Sequence, residues 1–277
     1  MKRIIYLFAI VFGIQQVAAQ QVQKIKVLDS ISIKTYLDSK PQKIEDFNTK
    51  TARYVESETQ IFKYNKKGNL IHFKHKKKDG QFWVDLQRDN KETIVSMTRN
   101  EDSERQGIIK LTYKDNLLQV LTEDDWFTHD STIKYHTYEY NKNKLPNKLT
   151  QTSTDKDNTP YVYLFEYTNN QIKTIDQNST VTTYTYDTKK YPFSSQPNYW
   201  DITTNEPLTN LSMSNYVQKN NLTKVENKYA ILTFIHTYNS NNLPIKTIAI
   251  EYYTKDGKYW PFFKEYQYHY REISIKK

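Results

Sequence analysis

A recurring unit constrains the fold of this 277-residue chain more than any other feature of its sequence. Each unit is an aromatic-rich segment of alternating polar and apolar residues that ends in a Tyr-Asn or Tyr-Asp pair or a close variant. A polar turn follows, then Leu or Ile, and then a second alternating segment. Period-two alternation predicts strands. Asn, Asp and Gly in a turn tolerate positive φ, so the unit is predicted to be a β-hairpin.

The unit occurs six times, and no copy buries its own apolar face, so neighbouring copies are expected to pair edge to edge. The copies are 61–77, 110–123, 138–152, 165–176, 184–193 and 236–253. A longer echo relates 64–83 to 238–260, because both segments run from Tyr-Asn through Lys-Asp-Gly to Trp. Their Asp-Gly pairs are strong hairpin signals. This echo near both ends of the chain favours one continuous architecture.

The predicted fold is all-β. We expect a long, twisted antiparallel meander of repeated hairpins, curved or partly sandwiched, with an irregular insertion near 191–230 that packs on the sheet. The insertion is predicted because three of the eight prolines fall there, at 192, 197 and 207. The stretch at 184–200 is interpreted as a strand that runs into a Pro-Phe bend, with its aromatic residues serving packing.

The first 19 residues are typical of a secretory signal peptide. A basic start is followed by an apolar run at 4–14 and by small residues, Val17 and Ala19, before a cleavage site. The run is too short for a spanning helix, which needs roughly 20 residues. We expect 1–19 to be removed and 20–277 to form a single repeat-like domain; the alternative is a retained N-terminal anchor.

The chain has no cysteine. The exported protein is therefore expected to lack disulfides and to rely on its core for stability. The lipobox cysteine of a bacterial lipoprotein is absent too, so we do not expect a lipid anchor. No later segment approaches spanning length. The expected location is the periplasm or the cell exterior, in soluble form, and the oligomeric state is left open.

The net charge is +9, and +7 once Lys2 and Arg3 leave with the signal peptide. Such a surface attracts nucleic acid, anionic lipid or acidic glycans, and the densest basic run is 74–80. Exported proteins rarely meet nucleic acid, so no nucleic-acid partner is predicted. The alternative interpretation is that lysines at exposed strand positions keep sheet edges from pairing.

The second half of the chain contains a set of residues that form a recognisable pattern. These residues are Tyr184, Tyr186, Asp187, Lys189, Pro192, Phe193, Asn220, Asn221, Thr223, Lys224, Tyr238, Asn239, Pro244 and Lys246. In this pattern the chain resembles, over about 137–253, a secreted family of the Bacteroidetes, the domain-of-unknown-function group 4595 and its relatives, and its Tyr-Asp turns are loosely similar to YD/RHS repeats. The resemblance implies an all-β exported protein and no catalytic residues, although many relatives carry the lipoprotein cysteine that this chain lacks.

One acidic cluster, 122–130, offers carboxylates for chemistry. Paired carboxylates serve glycoside hydrolysis, and Asp124, Asp125 and Asp130 are the candidates for an ion site. The alternative is a solvated hairpin tip, and we predict neither catalytic residues nor a metal or other cofactor. His72 and His75 would lie on opposite faces of a strand, which disfavours joint ligation. Nucleophile motifs and Gly-rich phosphate loops are missing.

Aromatic residues supply the leading hypothesis for function. Trp83, Tyr259 and Trp260 follow the two Asp-Gly turns, and flat rings recognise sugars and peptides at small entropic cost. We expect a non-enzymatic binding module for a glycan or a cell-envelope component. The first alternative is a structural or adaptor protein that offers its sheet to a protein partner, and the second is a hydrolase that uses 122–130.

Overall fold

The computed structural model describes residues 22–37, 52–101, 105–125, 132–154, 159–193, 218–253 and 258–276. These residues form sixteen strands. The strands are β1 (Val22–Leu37), β2 (Arg53–Tyr64), β3 (Leu70–Lys77), β4 (Gly80–Arg88), β5 (Ile94–Glu101), β6 (Arg105–Lys114), β7 (Leu117–Asp125), β8 (Thr132–Tyr140), β9 (Pro146–Ser153), β10 (Tyr161–Thr168), β11 (Gln171–Gln177), β12 (Thr180–Lys190), β13 (Asn220–Glu226), β14 (Ala230–Tyr238), β15 (Pro244–Tyr253) and β16 (Lys258–Lys276). The described residues contain no helix that could cross a bilayer.

Every strand pairs antiparallel with its neighbours in sequence, and β1 pairs with β16 to close the sheet into a barrel. The all-β antiparallel meander predicted from the alternation is confirmed. Closure is more specific than the curved or partly sandwiched sheet that we expected. It depends on the two longest strands, which stay in register from Val22 opposite Lys276 to Leu37 opposite Phe262, with one bulge.

The inward face of the barrel is apolar over most of its length. Side chains of alternate residues point to opposite faces of a strand, and directly opposite residues share a face. Phe62 on β2 faces Phe73 on β3, with ring centroids 5.3 Å apart. Residues from strands all around the barrel join one core, whose largest fully buried side chains are Phe62, Phe73, Leu28, Ile31, Leu118, Leu121, Leu149 and Ile172.

Five-residue loops of one conformation connect four of the hairpins. The first residue is Asn or Asp, and its side-chain oxygen accepts backbone N–H bonds; Asn141 Oδ1, for example, accepts from residues 143 and 145. The fourth residue has positive φ, as at Lys144. These caps satisfy backbone donors that the sheet leaves unpaired. The loops are 65–69, 89–93, 141–145 and 239–243.

Three other hairpins turn through two residues that both have positive φ, the geometry that matches strand twist. These turns are Asp115 and Asn116, Asn169 and Asn170, and Asn178 and Ser179. Asn and Asp tolerate this region better than other residues with a Cβ. The turn chemistry therefore explains why the chain is rich in these residues and poor in Gly.

Tyrosines near the ends of strands connect neighbouring hairpins. Tyr64 donates its hydroxyl to the Leu28 carbonyl at 2.7 Å, and Tyr140 donates to the Leu118 carbonyl at 2.5 Å. Tyr167 and Tyr270 make the same bond to the carbonyls of Pro146 and Pro244. Burial raises the pKa of Tyr140, so the phenol remains a donor. The Tyr-Asn signature thus marks a structural bond followed by a capped loop.

Glu92 joins two adjacent loops at this end of the barrel. Its carboxylate accepts hydrogen bonds from the side-chain amides of Asn65 and Asn69 at 2.8 and 3.0 Å. The Lys67 ammonium lies 2.9 Å from the other oxygen. Lys67 and then the two amides lower the pKa of Glu92 to about 2.

The predicted Pro-Phe bend follows β12 directly. Phe193 enters the barrel interior, where its ring centroid lies 5.2 Å from that of Phe62, so this aromatic density serves packing. The predicted insertion at 191–230 is too long, because 220–226 forms strand β13. That segment pairs with both β12 and β14. Residues 194–217 lie outside the described part of the chain.

Candidate functional site

Trp83 is the one predicted binding residue whose side chain the structure describes. It lies on the outer face of β4, opposite Lys74 on β3 and Asn100 on β5. The ring is partly buried, and the Lys74 ammonium lies 5.5 Å from its centroid. This distance is typical of a cation–π contact. The indole therefore lies, partly exposed, among polar side chains on the outer surface of the sheet.

Basic side chains surround Trp83 on the same face. Four basic residues point outward on β2 and β3, because each lies an odd number of positions from the buried Phe62 or Phe73 on its own strand. They are Lys63, His72, Lys74 and Lys76. We call this group, with Trp83, the basic face. Its residues are Lys63, His72, Lys74, Lys76 and Trp83.

Among the residues that the structure describes, no carboxylate forms an ion pair with a lysine of the basic face. Of the acidic residues on β1 to β5, two face outward, and both have a basic partner of their own. Asp85 accepts a hydrogen bond from His72 at 2.7 Å, and Asp29 lies 2.6 Å from Arg271. The registers turn Glu56, Glu58 and Glu101 inward.

Tyr259 and Trp260 begin β16, and their side chains lie outside the described part of the structure. Strands β1, β2 and β3 separate β16 from β4 in the barrel. Tyr259 is paired with Tyr252 on β15. Trp83 therefore has a setting distinct from that of the other two predicted residues, whose role stays a prediction.

The acidic cluster divides between the two faces of the barrel. Glu123 faces inward, 3.7 Å from the ring of the buried His136, whereas Asp124 faces outward opposite Ile108 and Ile133. Neighbouring carboxylates on opposite faces do not converge on one substrate. The Asp125 side chain and residues 126–131, which include the candidate Asp130, lie outside the described part. Among described residues, no group of three acidic or histidine side chains could hold a metal.

A buried, hydrogen-bonded carboxylate–histidine pair inside the barrel was not predicted from the sequence. Glu58 on β2 accepts a hydrogen bond from His75 Nε2 at 2.7 Å, and both side chains are buried. That bond holds the pKa of Glu58 below its ordinary value, although burial acts in the opposite direction. The alternation predicts an inward position for both residues, but their pairing depends on the register of β2 against β3. His72 and His75 face opposite sides, as predicted.

His236 on β14, which is partly buried, is fully committed to hydrogen bonds. His236 Nε2 lies 2.6 Å from the Leu222 carbonyl, which only accepts, so this nitrogen carries the proton. Nδ1 must then accept from the Thr247 hydroxyl at 2.7 Å. The Tyr268 hydroxyl in turn donates to Thr247 at 3.1 Å. Burial lowers the pKa of His236, and a neutral ring in a closed chain of bonds serves structure.

The residues that carry the family resemblance converge around Asp187. One carboxylate oxygen accepts the backbone N–H groups of Lys189 and Asn221 at 2.8 and 3.1 Å, and the other accepts the Tyr238 hydroxyl. The Asn221 amide also donates to the Lys190 carbonyl at 3.3 Å. These bonds tie the end of β12 to β13 and β14 across the long connection between them, so the motif is explained by structure.

No protein-family model matches the chain, and no curated protein matches it; the resemblance to group 4595 therefore stays a prediction. Among solved structures, the chain is similar to a porin-like protein from Bacteroides uniformis. The TM-score is 0.59 at 14% identity, covering 88% of this chain and 96% of that one. At this identity the likeness shows the fold alone. The Photorhabdus luminescens Tc holotoxin pore matches with a TM-score of 0.30 over 84% of this chain and 11% of its own, and that match carries no argument.

Proposed function

We propose that the protein is an exported, non-enzymatic binding protein that holds a glycan on the basic face of its barrel. The observation that carries this proposal is the outward position of the partly exposed Trp83, an aromatic ring among side chains with polar groups. Rings supply contact area for a sugar, and neighbouring amides and ammonium groups supply hydrogen bonds to its hydroxyls. The two residues beside Trp83, Lys74 and Asn100, are of these kinds.

The charged side chains on the outer face of the strands support a location in an aqueous compartment, which the predicted export also implies. Outward positions all around the barrel carry charged groups, among them Lys148 on β9 and Lys224 on β13, both ion-paired with glutamates. A lysine facing lipid at the bilayer midplane would cost about 2–4 kcal/mol. Such a surface fits water.

The test is a glycan array and a polysaccharide pulldown with the purified protein, its Trp83→Ala variant and a matched control, Tyr135→Ala. Tyr135 is an exposed aromatic on the outer face of β8, so its loss removes a similar ring from another side of the barrel. We expect Trp83→Ala to weaken glycan binding and Tyr135→Ala to leave it unchanged. Equal behaviour of both variants, at unchanged stability, would reject the site.

A second candidate function, an adaptor that contacts a protein partner, rests on a different surface. Leu164 on β10 and Val181 on β12 are about half exposed, 47% and 50%, and both lie opposite Asp176 on the outer face. Exposed apolar side chains that lie close together mark protein contacts. Crosslinking in cells with a photoreactive residue at 164 should capture a discrete partner if this surface is used. A matching residue at 135 is the control.

A further inference from the structure

We propose that the glycan is acidic, and that its carboxylate, sulfate or phosphate groups pair with Lys63, Lys74 and Lys76. This inference rests on the glycan-binding function proposed above and names the substrate class of the same face. The three lysines point outward on β2 and β3, and none has an acidic partner among the described residues. Cations that lie together without carboxylate partners form a positive potential that attracts a polyanion.

Three lysines elsewhere on the outer face form ion pairs with glutamates. Lys148 lies 2.7 Å from Glu139, Lys224 lies 2.6 Å from Glu226, and Lys246 lies 2.7 Å from Glu265. On β1 to β5, the acidic side chains either face inward or are engaged by His72 and Arg271, and the exposed Asp79 lies in the turn between β3 and β4. The lysines of the basic face differ from these three ion-paired lysines, and they lie together on two adjacent strands.

The surroundings of the lysines favour a polysaccharide over a membrane. Lys76 lies between Thr59 on β2 and Gln81 on β4, which offer a hydroxyl and an amide. Ile61 and Trp83, which lie beside Lys74, are only partly exposed. Binding to an anionic membrane by charge alone takes a cluster of about 4–8 basic residues, and smaller basic faces add protruding apolar groups. Hydroxyl and amide groups instead match the hydroxyls of sugar units between the acidic groups.

The spacing suits a polymer that lies along the strands. Lys74 and Lys76 are two residues apart on β3, so their attachment points lie about 6.7 Å apart. Lys63 extends the positive charge to the far end of β2. One acidic group on a small sugar would meet one ammonium, whereas a chain of acidic sugars meets several at once, and linked contacts multiply affinity.

The experiment measures binding to immobilised polygalacturonate, alginate and sulfated dextran, with unmodified dextran as the neutral reference. The test variant is the triple change Lys63→Gln, Lys74→Gln and Lys76→Gln. The control variant also replaces three lysines by glutamine, on other strands, so both variants lose the same net charge. These control changes are Lys110→Gln, Lys148→Gln and Lys224→Gln.

We expect the protein to prefer an acidic polymer to dextran. The test variant should lose about 3- to 100-fold in affinity, because each exposed ion pair contributes modestly. The control variant should lose less than about 2-fold, and the salt dependence of binding should weaken only in the test variant. Circular dichroism and thermal unfolding establish that both variants are folded.

Three results would overturn the inference. Equal losses in the two variants would show that net charge alone attracts the polymer. Stronger, equally lysine-dependent binding to phosphatidylglycerol vesicles would identify an anionic membrane as the partner. Trp83-dependent binding to neutral glycans, without preference for acidic ones, would reject the acidic class and leave the proposed function standing. Absence of binding to every glycan would reject both.

Discussion

Removing one hydroxyl from a strand-end tyrosine tests whether the Tyr-Asn signature stabilises the barrel as the structure indicates. Tyr140→Phe keeps the ring and deletes only the donor that bonds to the Leu118 carbonyl at 2.5 Å. Leu118 is fully buried, so water is poorly placed to replace the phenol. A buried acceptor left without its partner costs about 1–3 kcal/mol. We expect the free energy of unfolding to fall by about this amount.

The assay is urea unfolding followed by tryptophan fluorescence and circular dichroism. Tyr135→Phe is the matched control, because it lies on the same strand, is exposed, and should change stability by less than about 0.5 kcal/mol. The midpoint should shift for Tyr140→Phe at an unchanged denaturant slope. Indistinguishable midpoints for the two variants would refute the reasoning. Tyr64→Phe should add independently, since the two bonds lie on separate hairpins.

Three further substitutions test the loops and the interior. The pKa of Glu92 is about 2 in the folded protein and about 4.3 when unfolded; its stabilisation is therefore complete above the unfolded value and lost as pH falls towards 2. Urea midpoints of Glu92→Gln should accordingly lie below those of the wild type at pH 6 and converge with them near pH 2. Gly68→Ala should destabilise by about 1–2 kcal/mol, because φ is +84° and the new Cβ would lie 2.7 Å from a neighbouring side chain. Gly107→Ala, which meets nothing closer than 3.5 Å, should be nearly neutral in the same thermal melt. Glu58→Ala should cost about 1–3 kcal/mol, and a double-mutant cycle with His75→Ala should show coupling above about 0.5 kcal/mol; additive effects would contradict the buried pair.

Local features of the fold were predictable because they depend on neighbouring residues. Alternation identifies strands and their buried faces, and turn chemistry identifies hairpins, such as the one that turns at Lys78 and Asp79, directly before Gly80. Closure was not predictable in this way, since strand number, tilt and stagger set the shape of a barrel together. The predicted insertion near 191–230 is too long, because the Asn and Lys residues of 220–226 weaken the sequence signal of strand β13.

The candidate site was predictable only in part. Trp83 was predicted from its place after a turn, and the run at 74–80 indicated positive charge. The contribution of Lys63 needed the register of β2 against β3. The interpretation that the lysines keep a free sheet edge from pairing is wrong, because the closed barrel has no free edge in its described part. Another reason for the lysines of the basic face is therefore required.

The pairing of β1 with β16 also sets the order of events during folding. Each hairpin joins residues close in sequence, so these units form as soon as both of their strands have been synthesised. The seam between β1 and β16 joins the two ends of the described chain, and its loop-closure entropy is the largest in the molecule. The first strand to emerge must therefore wait, with an unpaired flank, until the last strand arrives. Chaperones that shield exposed strands would act on this interval, and truncation at the C-terminus would make it permanent.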